Sequence, residues 1–466
     1  MGTSFRTTAG ESQSLPSGIP FIIGNEAAER FSFYGMKGIL TVYMTTYMLN
    51  SAGQADVMGD EQAQGVYHLF TSAAYFFPIL GAIVADAFWG KYRTIMVLSL
   101  GYCVGHALIS LGDLAVTTQF LAPRYWLFIG MVFIAIGSGG IKPCVSAHVG
   151  DQFGPNNQHL LSKIFAWFYF SINVGAAASM WLAEPMLKNY GPWLAFGLPG
   201  VLMALATFVF WLGRHRFVHI PPSGWKGFVQ QTFNPEGRRA LSNLAPIFLI
   251  FVPVFWALFD QTGSSWVNQA DHLDRNFLGI TWYKSQIQVA NPILILLLIP
   301  LFSYVLYPLL GRYFKVTPLR KIGIGLFLTV IAFSVPCWIE SRIEKGATPN
   351  IGWQLLAYLL LTAAEVMVSI TCLEFAYTQA PRAMKSFIMG VYLLGVSLGN
   401  LFTAGVNFTL ASLKDEQGRT PLDGSNYYLF FTVIMLVAAI AFAVYARRYR
   451  GDTYYQGNEA QTDASS

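Results

Sequence analysis

Apolar residues along this chain gather into runs long enough to cross about 30 Å of hydrocarbon as helices. Six lie near residues 27–50, 65–87, 94–113, 126–148, 163–185 and 193–213. Six more lie near 244–266, 288–310, 320–340, 353–379, 385–411 and 426–447. The pattern predicts an all-α membrane protein of twelve transmembrane helices in two six-helix bundles. Between the sets runs "GRHRFVHIPPSGWKGFVQQTFNPEGRRALSN", the longest polar and basic stretch. It reads as a linker over 214–243, separating bundles at 1–213 and 244–450, with a polar tail at 451–466.

Composition agrees with the pattern. Of the 466 residues 54% are hydrophobic and only 11% charged, and the mean hydropathy is +0.46. Soluble domains carry about a quarter charged residues. The net charge of +5 is scattered through short loops, which fits membrane orientation and excludes a nucleic-acid surface. Lys91 and Arg93, then Arg214, Arg216, Lys226, Arg238 and Arg239, then Arg312, Lys315, Arg320 and Lys321 all fall in even-numbered loops. Arg382, Lys385, Arg447, Arg448 and Arg450 keep that parity, while the first loop, "SAGQADVMGDEQAQG", holds acids alone. Both termini are therefore expected in the cytoplasm. The first 20 residues show no charged-then-apolar leader. The two halves also echo each other: "DAFWGKY" after the second run returns as "YPLLGRY" after the eighth, the internal repeat common in secondary transporters.

Charges within the apolar runs need a reason, because a charged residue at a helix centre costs roughly 2.5–3.5 kcal/mol on insertion. In "GNEAAERFSFYGMK", Glu26, Glu29, Arg30, Phe33, Tyr34 and Lys37 share one helical arc. His68 and Tyr75 lie two turns apart in the second run. Lys142 sits beside Pro143 after "GSGG", and Tyr169 and Asn173 are one turn apart in the fifth run. Trp256, Phe259 and Asp260 end "FWALFD", Asn291 opens the eighth run, and Glu374 lies in the tenth. Basic groups in the first half facing a carboxylate in the second suit a zwitterion with separated charges, since arginine grips a carboxylate bidentately. Cys103, Cys144, Cys337 and Cys372 show no metal-ligand spacing, and neither a metal nor another cofactor is expected. Asn407-Phe408-Thr409 matches a glycosylation acceptor but lies in an apolar run.

Taken together, "EAAERF" with "FYG", "GIKPCVSAHVGDQF", "FYFSINVG", "FWALFDQ" and "LEFAYTQAP" closely resemble the proton-coupled oligopeptide transporters of the major facilitator superfamily. The second- and fourth-helix motifs are most similar to the animal di- and tripeptide carriers. The short linker has no room for the extra helix pair of many bacterial members, and the large domain between helices nine and ten of animal members is missing. The resemblance implies proton-coupled symport of di- and tripeptides by alternating access. It implies proton coupling at Glu26, Glu29, Arg30 and His68. Substrate would meet Arg30, Tyr34, Lys37, Tyr75, Lys142, Tyr169, Asn173, Trp256, Phe259, Asn291 and Glu374. Lys37 with Asp260 would latch the outer gate, and Lys142 with Glu374 the inner one. Phe33 replaces the family's frequent tyrosine and Tyr392 its frequent tryptophan, and Lys37 stands where arginine is usual. A lysine cannot make the bidentate bridge.

The expected partners are peptides, protons and membrane lipid, with no obligatory protein partner, in a plasma membrane, the bacterial inner membrane being favoured. A related carrier of nitrate or of single amino acids is the alternative. An enzyme is not expected, since no Ser/His/Asp or Cys/His arrangement and no nucleotide loop is present; a receptor would need an output domain.

Overall fold

A computed structural model describes residues 5–8, 13–112, 116, 118, 121–379 and 385–449. Arg382, Arg450 and the tail 451–466 lie outside the described residues. Each apolar run forms a helix. The first set comprises α1 (Ile19–Val42), α2 (Asp60–Trp89), α3 (Lys91–Leu111), α4 (Pro123–Asp151), α5 (Leu161–Tyr190) and α6 (Pro192–His215). A short helix, α7 (Gly224–Thr232), lies in the linker. The second set comprises α8 (Pro235–His272), α9 (Gln286–Gly311), α10 (Pro318–Glu344), α11 (Gly352–Ala376), α12 (Lys385–Ser412) and α13 (Ser425–Arg448). Eleven of these are long and apolar enough to cross a membrane. The remaining long one is α1, which carries Glu26, Glu29, Arg30 and Lys37.

Two boundaries differ from the apolar pattern for local reasons. Proline at the first turn, whose missing N–H costs nothing there, starts α1 at Ile19. Glu26 and Glu29 therefore lie well inside the helix, not at its mouth. Asn234 accepts a hydrogen bond from the Gly237 amide at 2.7 Å, with Pro235 next, so α8 begins in the polar end of the linker. The rest of the linker is not loop throughout, because α7 buries Phe228 and stacks Trp225 on Phe88 of α2 at 6.1 Å.

Buried apolar side chains form two large cores, one drawn from residues 19–217 with Val267 and the other from 244–442. Within the first, "GSGG" lets α4 lie against α2. A Cβ on Gly139 would come 2.7 Å from the Ala74 carbonyl oxygen, the close approach that small residues allow in lipid. Between the halves, α2 runs antiparallel to α12 along its length. Gly65 sits under the Phe408 ring, Ser397 donates to the Ser72 carbonyl at 2.8 Å, and Gly390 lies against Ile79. Asn407 is buried in this helix and donates to Tyr427 at 3.0 Å. Its place is structural.

Candidate functional site

The α1 charges form one buried cluster. Arg30 Nε donates to Glu26 Oε1 at 2.7 Å and stands 3.3 Å from Glu29 Oε2. Ser138 of α4 donates to Glu29 Oε1 at 2.6 Å. Both glutamates are buried, at 1% and 0% exposure, so each ion depends on these few partners. The Lys142 ammonium joins from α4, 3.8 Å from the centre of the Phe33 ring and 4.4 Å from that of Tyr75. It has no hydrogen-bond partner among the described residues. Two aromatic faces supply part of what water would have given it.

A cavity of about 220 Å³ opens between the halves beside this cluster, lined by Tyr34, Tyr75, Tyr169, Asn173, Asn291 and Glu365 among others. Trp256 and Tyr392 complete its aromatic wall. A smaller cavity of about 80 Å³ shares Tyr34, Tyr75, Asn291 and Glu365, and reaches Phe259, Lys37 and Asp260. Asn291 donates to Glu365 Oε2 at 2.7 Å and to Thr362 Oγ1 at 3.2 Å. Asn173 turns its amide N–H back to the Tyr169 carbonyl at 2.9 Å.

Beyond the cavity, toward the α1–α2 loop, the halves are joined by polar contacts. Lys37 Nζ meets Asp260 Oδ1 at 2.7 Å, with both side chains buried. Thr41 donates to the Gly263 carbonyl at 2.9 Å, and Gln288 to the Gly38 carbonyl at 3.0 Å. The Ser285 amide donates to Glu184 at 2.6 Å. His68 bridges Asn400, at 2.8 Å from Nδ1, and Ser264, at 2.8 Å from Nε2.

The structure thus brings together Glu26, Glu29, Arg30 and Lys142, and pairs Lys37 with Asp260. The cavities are lined by Tyr34, Lys37, Tyr75, Tyr169, Asn173, Trp256, Phe259 and Asn291. It does not pair Lys142 with Glu374. Glu374 is exposed and lies within electrostatic reach of Tyr307 near the far end of α9. The carboxylate in the cavity wall is Glu365, nine residues earlier, about 13 Å back along the helix. A wide five-residue turn, Val366–Ile370, separates the two, and such turns recur at functional sites. Depth is the signal that finds Glu365, since it lies near the middle of the apolar run 353–379 while Glu374 lies near its end. Asn400, Ser264 and Ser138 had no such signal, because each reads as an ordinary packing residue.

Comparison with known proteins gives a consistent picture. The model of the POT family matches residues 92–233 and 225–421. Peptide transporter family 1 of Drosophila melanogaster is 37% identical over 372 residues, 71% of this chain and 48% of the fly protein. Solute carrier family 15 member 2 of Homo sapiens is 34% identical over 398 residues, 77% of this chain and 53% of the human one. The chain therefore spans about half the length of the curated relatives it matches. Among solved structures, an auto-inhibited POT family peptide transporter is similar at 35% identity and a TM-score of 0.82, covering 95% of this chain and 99% of that one. The POT family transporter PepTSo is similar at 36% and 0.78, covering 94% and 99%. On the family match and on these relatives, the chain belongs to the POT family.

Proposed function

We propose that this chain carries di- and tripeptides across a plasma membrane together with protons, through twelve spans with both termini in the cytoplasm. The observation that carries the reading is the charge separation across the central cavity. Arg30 and Lys142 stand on the side of the first bundle, behind the Tyr34 and Tyr75 wall, and Glu365 lines the cavity on the side of the second. A peptide zwitterion fits that arrangement, its carboxylate toward the cations and its ammonium toward Glu365. The aromatic wall of Tyr34, Tyr169 and Trp256 accepts varied side chains. Glu365 replaces Glu374 here as the amine partner. The names of the fly and human relatives, a peptide transporter and a solute carrier, agree with it.

Coupling follows from shared partners. Arg30 is held by Glu26 and Glu29. A proton on either glutamate removes a negative charge and releases the guanidinium to a peptide carboxylate. A bare buried ion is costly, so proton and peptide compete for the same cation. Closure outside is held by Lys37 and Asp260, and the halves rock about the α2–α12 seam. A potential negative inside drives the net positive load at about 2.3 kcal/mol per charge per 100 mV. The test is uptake of labelled dialanine by purified protein in liposomes, with a fixed potential, with and without an inward proton gradient. Accumulation that needs protons and is competed by assorted di- and tripeptides, but not by alanine or nitrate, is expected. Accumulation of nitrate or free alanine instead would overturn the peptide reading.

A further inference from the structure

The chemistry of Asn400 on α12 is fixed by its surroundings. Its side chain is fully buried. Nδ2 donates to Asp260 Oδ2 at 2.7 Å and to the Val396 carbonyl at 3.1 Å. Both neighbours only accept, so the amide nitrogen must face them. Oδ1 is left for His68, whose Nδ1 stands 2.8 Å away and must therefore carry a hydrogen. The ring position still open to a proton is Nε2, 2.8 Å from Ser264 Oγ. That hydroxyl also lies 3.5 Å from the Gln261 carbonyl. A proton arriving at Nε2 needs only this hydroxyl to turn. It stops donating to the ring, accepts from it, and gives its own hydrogen to Gln261. The charged groups facing His68 are Asp260 from α8 and Lys37 from α1, with the Tyr67 ring 5.1 Å away on its own helix.

We propose that Asn400 is the positioning residue through which a proton on His68 loosens the Lys37–Asp260 latch. The idea rests on the reading of the chain as a proton-coupled carrier. An imidazolium Nδ1–H is a stronger donor than a neutral one. It polarises the Asn400 amide, whose N–H then holds Asp260 more firmly. The carboxylate now answers two cations in place of one, and Lys37 is repelled by the second. The trio of Lys37, Asp260 and His68 passes from neutral to a net charge of about +1, and the cation able to reach water at the mouth is Lys37. Without Asn400 the ring has no hydrogen-bonded route to the carboxylate.

The experiment follows the latch directly. Spin labels at Gln54→Cys and Glu416→Cys, exposed on loops at the latch end of each half, report its opening by pulsed EPR after Cys103→Ser and Cys337→Ser. The wild-type closed-to-open ratio should fall about tenfold on acidification, within the range of coupled sites. Asn400→Leu should abolish that response. Asn400→Asp, which pairs with a charged ring but cannot donate to Asp260, should abolish it as well. A merely structural asparagine would change the closed-to-open ratio at every pH and leave its response to acidification in place. Ser264→Ala, which leaves Asn400 intact, should shift the midpoint while keeping the response. An unchanged midpoint in Ser264→Ala would refute Nε2 as the proton site, and a wild-type pH response in Asn400→Leu or Asn400→Asp would refute the relay. Proton-driven dialanine uptake by the wild-type chain separates the two levels. If that uptake is absent, the transport reading falls and takes the relay with it; if it is present, only the relay is judged.

Discussion

The proposed Lys37–Asp260 latch makes a prediction whose sign is unusual. Both side chains are buried, at 6% and 5% exposure, and the ions are 2.7 Å apart. Removing one partner strands the other ion, which costs about 3–5 kcal/mol, whereas replacing both by apolar groups is often neutral. In Lys37→Met the carboxylate of Asp260 still receives the Asn400 N–H, so the cost should fall near the lower figure. In Asp260→Ala the ammonium of Lys37 keeps, among the described residues, the Tyr67 ring at 5.2 Å, so the cost should approach the higher one. The open form lets either ion meet water, so the penalty falls on the closed form. It lowers the closed-to-open ratio by about two to three and a half powers of ten, at 1.4 kcal/mol per tenfold. The double variant Lys37→Met with Asp260→Ala strands no ion on the latch and should close to within about 1 kcal/mol of wild type. Pulsed EPR distances between labels at Gln54 and Glu416 read the populations of all four proteins. If the double variant is as open as the two single effects added together, the pair is not the latch.

Glu365→Gln should weaken uptake of peptides with a free amino end by roughly 10- to 150-fold, the worth of a charged hydrogen bond. It should leave N-acetylated peptides little changed, and Glu374→Gln should change neither by more than about threefold; competition assays against labelled dialanine measure both. Gly395→Ala and Gly399→Ala place a methyl on the carbonyl oxygens of Phe248 and Pro253, with backbone on the other side. Each should cost about 1–3 kcal/mol or more and lower the melting temperature in detergent. Gly405→Ala, which has nothing within 4 Å, should not. In the loop after α8, the Asn276 amide and the Asn350 side chain hold the Asp274 carboxyl below its usual range. That stability is present above the unfolded value near pH 3.9 and is lost as pH falls through the lowered one. The gap in melting temperature between wild type and Asp274→Ala should therefore close on acidification.

Much of this architecture was legible in the sequence because lipid enforces it. A chain in hydrocarbon must satisfy its backbone within helices, so apolar runs and helices coincide. The α1 charges were legible for the converse reason: groups so costly to bury are placed where they act. Helix ends were less legible, because Pro20 and Asn234 extend α1 and α8 into polar sequence on capping chemistry alone. Partners were least legible of all. Lys142 was expected to meet a carboxylate and rests on two aromatic rings instead. Asn400 gains its importance only from the meeting of α2, α8 and α12, three helices far apart in the chain.

The charges now placed around the cavity do not balance, and the imbalance bears on mechanism. Four carboxylates, Glu26, Glu29, Asp260 and Glu365, face three cations, Arg30, Lys37 and Lys142. Glu365 is the one with no cation paired to it among the described residues, its hydrogen bond coming from the neutral Asn291 amide. With all seven groups ionised the site carries one surplus negative charge. A zwitterionic peptide adds no net charge, so it cannot remove that surplus by itself. Its ammonium can neutralise Glu365, but its carboxylate then demands Arg30, which Glu26 and Glu29 already hold. The demand is met when one of those glutamates takes a proton. On this accounting a peptide with a proton on Glu26 or Glu29 leaves every ion partnered. A peptide alone keeps the surplus charge, and a proton alone on either of those glutamates neutralises the site but leaves Glu365 without a cation. On the proposed reading, one carboxylate too many makes peptide binding depend on a proton with no dedicated proton wire to the peptide.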